Sequence, residues 1–287
     1  PMTYNMEKYT AIYGLDEDAN GHGEWTASAL GGKPAIDYFF SHMLGTTVYM
    51  EGMAPNTRLI QIKALGFVIG TGSDSALIRA IEMAINLNSD IVSMSWGGTP
   101  SGNTPQDSPF YVPFQTMYDN GMIPVVAAGN SGPGAQTIDE PGDLPQGLTV
   151  GAYNVVTNNN DMFGQAGTIA GFSSRGPTVF GTIKPDTVGP GAIIDNAITG
   201  VLSGAYTHYV HPAQAIAGTS MATPIVAGLV TLMRQAHKKL LGKVLTVDEV
   251  KQMLSTFGHE KSNVDGWGAI TWDMYEQWLS TQYGVSL

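Results

Sequence analysis

The stretch with the clearest chemical potential runs from Gly218 to Gly228 and reads Gly-Thr-Ser-Met-Ala-Thr-Pro-Ile-Val-Ala-Gly. Gly218 and Thr219 precede Ser220, which stands at the start of an apolar run. This run predicts a helix that reaches about Leu240. Backbone N–H groups at a helix start lack intrahelical partners, so a developing oxyanion would be stabilised there. An ordinary helix cap is the alternative interpretation of an isolated Gly-Thr-Ser. Pro224 fits this helix if it falls in or near the first turn, where its missing N–H is not needed.

Two further stretches carry side chains that complement a nucleophilic serine. His22 stands between glycines in Asn-Gly-His-Gly, so its ring is free to face a cleft. Histidine is the usual general base for a serine hydroxyl because its pKa lies near neutrality. Asn130 follows a predicted buried strand, and its amide is a good donor to an oxyanion. Taken alone, His22 also fits an ordinary surface or core histidine, and Asn130 fits a turn at a strand end.

A third stretch, Ser93 to Gly98, is a predicted strand that runs into two glycines. Bare backbone of this kind can pair with an extended peptide by strand addition. Trp96 and the neighbouring glycines favour a pocket that tolerates apolar side chains.

Hydrophobic periodicity and capping residues predict the elements that must position these side chains. The predicted strands are 58–65, 90–95 (buried), 122–128 and 148–152. The predicted helices are 22–30, 75–88 with Asp74 as its cap, 109–120, 220 to about 240, one that follows a capping box at Thr246–Glu249, and 272–283. Residues 1–21 are predicted to be polar and irregular.

Strands that alternate with helices predict an α/β fold with a mostly parallel, doubly wound sheet and helices on both faces. Catalytic groups then cluster at the carboxyl ends of the strands. We find no internal repeat, low-complexity tract or linker, so residues 1–287 are predicted to form a single domain.

Five motifs, in order, resemble those of subtilisin-like serine proteases (subtilases), and they cover roughly residues 16 to 230. The motifs are Asn-Gly-His-Gly (20–23), Ala-Ala-Gly-Asn-Ser-Gly-Pro (127–133), Gly-Phe-Ser-Ser-Arg-Gly-Pro (171–177), Lys-Pro-Asp-Thr-Val-Gly-Pro-Gly (184–191) and Gly-Thr-Ser-Met-Ala-Thr-Pro (218–224). The resemblance implies a subtilisin-like three-layer fold and a serine endopeptidase.

The resemblance also assigns roles to individual residues. Ser220 would be the nucleophile, His22 the general base, and Asn130 the side-chain donor of an oxyanion hole shared with the Ser220 N–H. The strand Ser95–Gly98 would pair with substrate and border the pocket for the residue before the scissile bond, while Leu65–Gly70 would form a second rail. The residues assigned to substrate binding are Leu65, Gly66, Ser95, Trp96, Gly97, Gly98 and Gly129.

Two features depart from the family pattern. The family's triad runs Asp, His, Ser, with the Asp about 30 residues before the His, whereas only 21 residues precede His22. Asp16 and Asp18 resemble the acidic loop ahead of the His motif, so neither is assigned as the triad acid. The second departure is Glu24, which stands where the family usually has Thr. Its carboxylate would raise the pKa of His22 if the two approach, or would point to solvent.

Three hypotheses account for the acid. The chain is the large fragment of a processed protease, and an upstream fragment of the same precursor supplies the Asp; or the Asp is absent and the enzyme is inactive; or another carboxylate substitutes. We favour the first, because a doubly wound core without a central strand would expose apolar edges. Pro1 is then interpreted as a cut end. The rival function is an inactive subtilase-like module that binds peptides or builds a cell-surface assembly. An esterase is disfavoured because no Gly-x-Ser-x-Gly elbow surrounds Ser220.

Composition limits the remaining classes of function. The net charge of −11, without a Lys/Arg cluster, argues against nucleic-acid binding. Cysteine is absent, and no apolar run reaches the ~18 residues of a membrane span. The acidic charge suits an extracellular or cell-surface location.

Structural calcium is the one cofactor considered. Asn158–Asp161, with Asp139, Glu140 and Asp143, offers oxygen ligands for calcium. Solvated turns are the alternative interpretation of these residues. His208 and His211 suggest a metal site only weakly and are assigned to a loop.

Overall fold

The computed structural model describes residues 2–5, 10–13, 21–37, 41–42, 45–66, 71–155, 164–192, 194–195, 198–199, 201–203 and 214–287. The chain divides into two compact units. Unit 1 comprises Pro1–Ser89 and Leu202–Ala215, and unit 2 comprises Asp90–Val201 and Ile216–Leu287. The expectation of a single domain therefore stays a prediction.

The elements of unit 1 described first lie in its Pro1–Ser89 segment. They are β1 (Met2–Asn5), β2 (Thr10–Tyr13), α1 (His22–Gly31), β3 (Ala35–Asp37), β4 (Val48–Met50), β5 (Gln61–Lys63) and α2 (Asp74–Asn86). Strand β1 lies between β2, its antiparallel neighbour, and β5, its parallel neighbour. The expectation that residues 1–21 are irregular is therefore wrong for β1 and β2. Their Thr, Tyr and Ile residues suit strands once a distant strand, β5, provides a partner.

Helix α1 starts where the sequence predicts, at His22, and Gly21 precedes it in the left-handed conformation with φ of 79°. Its far end is held by a loop: the backbone N–H groups of Met53 and Ala54 donate to carbonyls in the last turn, at 3.0 and 2.7 Å. Gly52 allows this approach, because a Cβ there would lie 2.3 Å from the backbone N of Gly32.

Helix α2 confirms the predicted element but corrects its cap. Ser73 is the N-cap, and its hydroxyl accepts from the Ala76 N–H at 3.4 Å, while Asp74 is the first helical residue. A carboxylate there still stabilises the helix through the positive end of its dipole.

Unit 2 is built on four parallel strands in the order β6-β7-β8-β9. The strands of this sheet are β6 (Ile91–Met94), β7 (Ile123–Ala127), β8 (Leu148–Asn154) and β9 (Thr187–Ala192). The short strands β10 (Ile194–Asp195) and β11 (Ile198–Thr199) follow, and then β12 (Val201–Ser203) and β13 (Gln214–Ile216), which lie mostly in the Leu202–Ala215 segment of unit 1. The helices are a 3₁₀ turn (Pro105–Asp107), α3 (Tyr111–Asp119), α4 (Thr219–Leu241), α5 (Val247–Phe257) and α6 (Trp272–Tyr283). The α/β class is thereby confirmed.

The core of unit 2 lies between this sheet and the helices that pack on it. Helix α4 packs against all four strands, and α3 packs against β7. Every residue of β7 is buried, as are Val150 in β8 and Val226 and Val230 in α4. Each such apolar side chain stabilises the fold by about 1.5–3 kcal/mol. Strand β6 was expected to be buried, but within it only Met94 is, and the other three residues are half-buried.

Local capping signals place the last helices correctly. At α5, the Thr246 hydroxyl accepts from the Glu249 N–H at 3.2 Å, and the Glu249 carboxylate accepts from the Thr246 N–H at 2.8 Å. This is the predicted capping box. Helix α6 has the predicted bounds, Trp272–Tyr283.

A buried ion pair ties β8 to the segment entering β9. The Lys184 ammonium donates to Asp186 Oδ2 at 2.6 Å and to the Thr149 hydroxyl at 2.8 Å. Asp186 also accepts from the Thr149 N–H at 2.9 Å and from Lys261 at 2.7 Å. Burial alone would raise the pKa of Asp186, but the surrounding lysines hold that pKa well below its usual range. In the part of the chain that the structure describes, no helix has the length and apolarity to cross a membrane.

Candidate active site

Ser220 is the second residue of α4, at the carboxyl edge of the parallel sheet. Strand β6 ends just before Ser95, and β7 ends just before the Ala128-Gly129-Asn130 turn. Because β6 and β7 are adjacent and parallel, both turns lie at the same edge of the sheet. Both turns bond to the start of α4, Ser95 to Ser220 and Asn130 to Thr219.

Asn130 supplies the cap that α4 itself lacks. The helix N-cap is Gly218, which has no side chain to offer. The Asn130 side-chain oxygen accepts instead from the Thr219 N–H at 2.9 Å and from the Thr219 hydroxyl at 3.0 Å. The Thr219 hydroxyl also accepts from the Gly129 N–H at 3.2 Å. These bonds fix the amide with its oxygen toward Thr219, so its NH₂ group faces away.

Two hydrogen-bond donors are left free beside the serine. Asn130 is exposed, and within the described residues nothing accepts from its NH₂ group. The Ser220 N–H belongs to the first helical turn, and no backbone carbonyl of the described chain accepts from it. The Asn130 nitrogen lies 3.5 Å from where a Cβ on Gly218 would stand, so this glycine keeps the approach to the helix start open.

Ser95 holds Ser220 from the neighbouring strand end. The Ser220 hydroxyl donates to the Ser95 carbonyl at 3.3 Å, and the Ser95 hydroxyl donates to the Ser220 carbonyl at 2.8 Å. Pro224 is the sixth residue of α4, so it lies near the first turn, as predicted, but the expectation that its missing N–H is not needed is wrong. The missing N–H of Pro224 would have bonded the Ser220 carbonyl, and Ser95 replaces that donor.

Gly129 and Gly97 flank a carboxylate. Gly129 has φ of 106°, a conformation that favours glycine, and a Cβ there would lie 2.4 Å from Asp139 Oδ2. A Cβ on Gly97 would lie 2.8 Å from the Asp139 Cβ. Asp139 is half-buried, and burial raises its pKa to about 6.

The Ser95–Gly98 segment, expected to pair with substrate, has backbone N–H and C=O groups without a backbone partner over part of its length. Gly98 is already bonded in both directions to Glu140, each bond measuring 2.9 Å. Trp96 packs its ring on Phe110, with centroids 5.5 Å apart. Among the described residues, Trp96 and Gly97 make no backbone–backbone hydrogen bond, so these two positions keep groups that an extended peptide can use.

The remaining sequence candidates belong to unit 1. His22 is the first residue of α1 and is half-buried, and Glu24 in the same turn is 5% exposed. The alternative that Glu24 points to solvent is therefore wrong. Leu65 and Gly66 follow β5, and the Gly66 N–H donates to Thr71 at 2.7 Å. Residues 67–70 of the second rail, and Asp16 and Asp18, lie outside the described residues.

Some of the acidic residues considered as calcium ligands lie near the site. Asp139, Glu140 and Asp143 lie in one segment, but no three acidic or histidine side chains of the described chain are grouped so that they would hold a metal. Glu140 instead accepts from the Ser101 hydroxyl at 3.1 Å. The other predicted calcium ligands, Asn158–Asp161, and the histidines His208 and His211 lie outside the described residues, so calcium stays a prediction.

Two residues of the site were not predicted from the sequence. Thr219 was expected to be part of a flexible lead, yet its backbone and hydroxyl orient Asn130. Its position beside Ser220 was the only signal. Asp139 was considered only as a metal ligand, because nothing in the sequence places it against Gly97 and Gly129.

Comparison with known proteins agrees with this geometry. The "Subtilase family" profile matches residues 3–268. Serine protease AprX of Bacillus subtilis (strain 168) is 34% identical over 272 residues, covering 88% of this chain and 57% of AprX. Subtilisin DY of Bacillus licheniformis is 32% identical over 241 residues, covering 83% of this chain and 70% of that protein. Pyrolysin of Pyrococcus furiosus is 30% identical, but this chain spans only 19% of its length.

Solved structures share the fold. The protease domain of PatA, solved as a mutant, superposes with a TM-score of 0.70 at 21% identity, covering 94% of this chain and 85% of that one. Sphericase gives a TM-score of 0.68 at 24% identity, covering 94% and 83%. The family profile spans both units and the serine, histidine and asparagine motifs, and the predicted subtilisin-like fold is confirmed. The chain therefore belongs to the subtilase family of serine proteases.

Proposed function

We propose that the protein is a serine endopeptidase that cleaves peptide bonds through an acyl-enzyme on Ser220. The observation that carries this proposal is the orientation of Asn130. Thr219 binds the amide oxygen at 2.9 Å, which leaves the amide NH₂ and the Ser220 N–H as two free donors beside one hydroxyl. Fixed donors of this kind stabilise the charge that develops on a carbonyl oxygen under attack.

In the proposed mechanism His22 acts first as a base and then as an acid in each half-reaction. His22 takes the proton of the Ser220 hydroxyl as the oxygen attacks the peptide carbonyl carbon. Asn130 and the Ser220 N–H hold the oxyanion of the tetrahedral intermediate. His22 then gives the proton to the leaving amine, and water repeats the sequence to release the acyl group.

Ser95 has a positioning role in this proposal. In the resting state its carbonyl accepts a hydrogen bond from the Ser220 hydroxyl at 3.3 Å, and its hydroxyl donates to the Ser220 carbonyl at 2.8 Å. Attack requires the Ser220 hydroxyl to turn from that carbonyl toward its base. The backbone of Trp96 and Gly97 then pairs with the substrate chain, and the Leu65–Gly66 segment supplies a second rail.

The proposal includes an acid partner that orients His22. Neither Asp16 nor Asp18 is assigned to that role, so the acid is proposed to come from an upstream fragment of the same precursor that stays bound as a separate chain. An extracellular or cell-surface location is proposed on the basis of the net charge of −11.

Fluorophosphonate labelling of the native protein, followed by intact mass measurement and peptide mapping, tests the function. We expect one label, on the peptide that contains Ser220, and none on a Ser220→Ala variant. Ser131→Ala is the matched control, since this exposed serine is the residue next to Asn130. Absence of labelling in the wild-type protein would contradict the proposal.

The same measurement tests the acid partner. A second polypeptide that co-purifies in stoichiometric amount and carries an Asp-Ser-Gly or Asp-Thr-Gly motif is the result expected of a processed, two-chain enzyme. A labelled protein without any such segment would show that another carboxylate fills the role. The alternative function, a non-catalytic peptide-binding module, is favoured by one observation: Glu24 is buried in the first turn behind His22. Binding of a peptide by a protein that fluorophosphonate does not label would support this alternative function.

A further inference from the structure

The Asp139 carboxylate occupies the space that two side chains would otherwise fill. A Cβ built on Gly129 would lie 2.4 Å from Asp139 Oδ2, and one on Gly97 would lie 3.3 Å from the same oxygen. Neither glycine can be replaced by a larger residue without displacing this carboxylate. The position of Asp139 is also fixed from its backbone, since its N–H donates to the Ala128 carbonyl at 2.9 Å.

Both glycines belong to the turns that bond to the start of α4, one through Thr219 and the other through Ser220. Gly129 directly precedes Asn130, whose amide would hold the oxyanion. Gly97 follows Ser95 by two residues, and the Ser95 carbonyl lies 3.3 Å from the Ser220 hydroxyl. A substrate carbonyl bonded to Ser220 with its oxygen at Asn130 therefore brings the side chain on its acyl side to the gap between these two turns. Asp139 lines that gap.

The carboxylate has no cation of its own. Among the described residues, nothing donates a hydrogen bond or an ion pair to its oxygens, and burial is the one cause that shifts its pKa. The ionisable groups nearest in sequence, Glu140 and Asp143, are acidic and offer no positive charge. Lys184 is fully engaged by Asp186 and Thr149. A half-buried carboxylate without a partner is costly, and a bound cation would relieve that cost.

We propose that Asp139 makes this pocket select a basic residue, Arg or Lys, immediately before the scissile bond. The inference rests on the proposed function and gives its substrate class: peptides cleaved after a basic side chain. It replaces the apolar-tolerant pocket expected from Trp96 and the glycines.

The test compares peptide substrates that differ only in the residue before the scissile bond: Arg, its neutral isostere citrulline, and Leu. The full-length native protein is expected to cleave the Arg peptide with a kcat/KM roughly 30-fold or more above that of the citrulline peptide, because truncating one partner of a buried charge pair has an effect of this order. Asp139→Asn keeps the shape of the side chain and is expected to bring this ratio close to one.

Asp119→Asn is the matched control. Asp119 is an exposed carboxylate at the end of α3, held by Gln115 at 2.8 Å, and its loss removes the same charge without touching the pocket. This control is expected to keep the wild-type ratio of Arg to citrulline cleavage. Thermal melting of all three proteins checks that Asp139→Asn is folded. An unchanged ratio in folded Asp139→Asn would overturn the proposal, as would a wild-type enzyme that cleaves the Leu peptide as well as the Arg peptide.

Binding to the Ser220→Ala variant separates this inference from the proposed function. Calorimetry with the Arg and citrulline peptides is run on Ser220→Ala and on Ser220→Ala/Asp139→Asn. Tighter binding of the Arg peptide that disappears in the double variant supports Asp139, even if the wild-type protein neither cleaves nor is labelled. Equal or undetectable binding of both peptides to Ser220→Ala would refute the role of Asp139, whatever the labelling shows about Ser220.

Discussion

The hydroxyl of Ser95 donates a 2.8 Å hydrogen bond to the backbone carbonyl of Ser220, across 125 residues of sequence. The carbonyl needs this donor because Pro224, four residues on, has no N–H to continue the helical ladder. A proline in the second turn of α4 thus makes the position of Ser220 depend on a neighbouring strand end. Two tertiary contacts therefore fix the start of α4: Ser95 bonds to Ser220, and Asn130 bonds to Thr219.

Replacing Ser95 by Ala should loosen the nucleophile. The Ser220 carbonyl loses its donor, so we expect the free energy of unfolding to fall by about 1 kcal/mol and kcat/KM to fall roughly 5- to 10-fold. In a Pro224→Ala background a backbone N–H can bond the same carbonyl, and Ser95→Ala should then cost much less. Denaturant unfolding and peptide cleavage of the four proteins in this double-mutant cycle give the coupling. Equal losses in both backgrounds would refute the compensation.

Asn130 has two separable functions, since its oxygen caps α4 and its nitrogen is free. Asn130→Ala removes both, and Asn130→Asp keeps an acceptor for Thr219 while removing the donor. We expect both variants to lose about 10²–10³ in kcat, with a lower melting temperature mainly for Ala. Near-wild-type turnover of either variant would show that this side chain does not hold the oxyanion.

Gly129→Ala should disturb the site through Asp139. The new methyl meets Asp139 Oδ2 at 2.4 Å and is held at φ of 106°, so we expect a loss of about 1–3 kcal/mol in stability. The displaced carboxylate should also lower the preference for Arg over citrulline. Gly134→Ala is the control, because its new methyl would meet only Thr137 Cγ2 at an ordinary 3.7 Å. Similar melting temperatures for the two variants would argue against this packing.

Asp186 should make stability depend on pH. Its pKa in the folded protein is held below the ordinary value by the surrounding lysines. Its contribution is therefore complete above about pH 4, the ordinary pKa, and is lost as the pH falls toward the lower folded value. Asp186→Asn leaves Lys184 buried without its partner, and we expect a loss of about 3–5 kcal/mol at pH 7.

Denaturant unfolding at pH 7 and pH 3 measures this effect. The wild-type protein should lose more stability between these two pH values than Asp186→Asn does, because the variant has no carboxylate to protonate. Asp273→Asn, at the start of α6, controls for the removal of a surface carboxylate. Parallel pH profiles for the wild-type protein and Asp186→Asn would contradict the assignment.

The sequence by itself determined the features that depend on neighbouring residues. The capping box at Thr246–Glu249 set the start of α5, and the bounds of α6 followed from its own residues, because the groups that end a helix lie within a turn of its ends. Ser220 could likewise be placed at a helix start, since its glycine, threonine and apolar neighbours are contiguous. The family resemblance, carried by five short motifs, was correct for the same reason.

The tertiary structure alone decided how these motifs act together. Asn130 is oriented by Thr219, which is 89 residues away in sequence. The Ser95 hydroxyl replaces the N–H that Pro224 lacks as a donor to the Ser220 carbonyl. Asp139 occupies the space that side chains on Gly97 and Gly129 would need. No local pattern encodes such pairs, because their contacts are made by packing adjacent parallel strands against one helix. The sequence thus determined which groups are present at the carboxyl edge of the sheet, and the fold decided which of their atoms are left without a partner and where the Asp139 carboxylate lies.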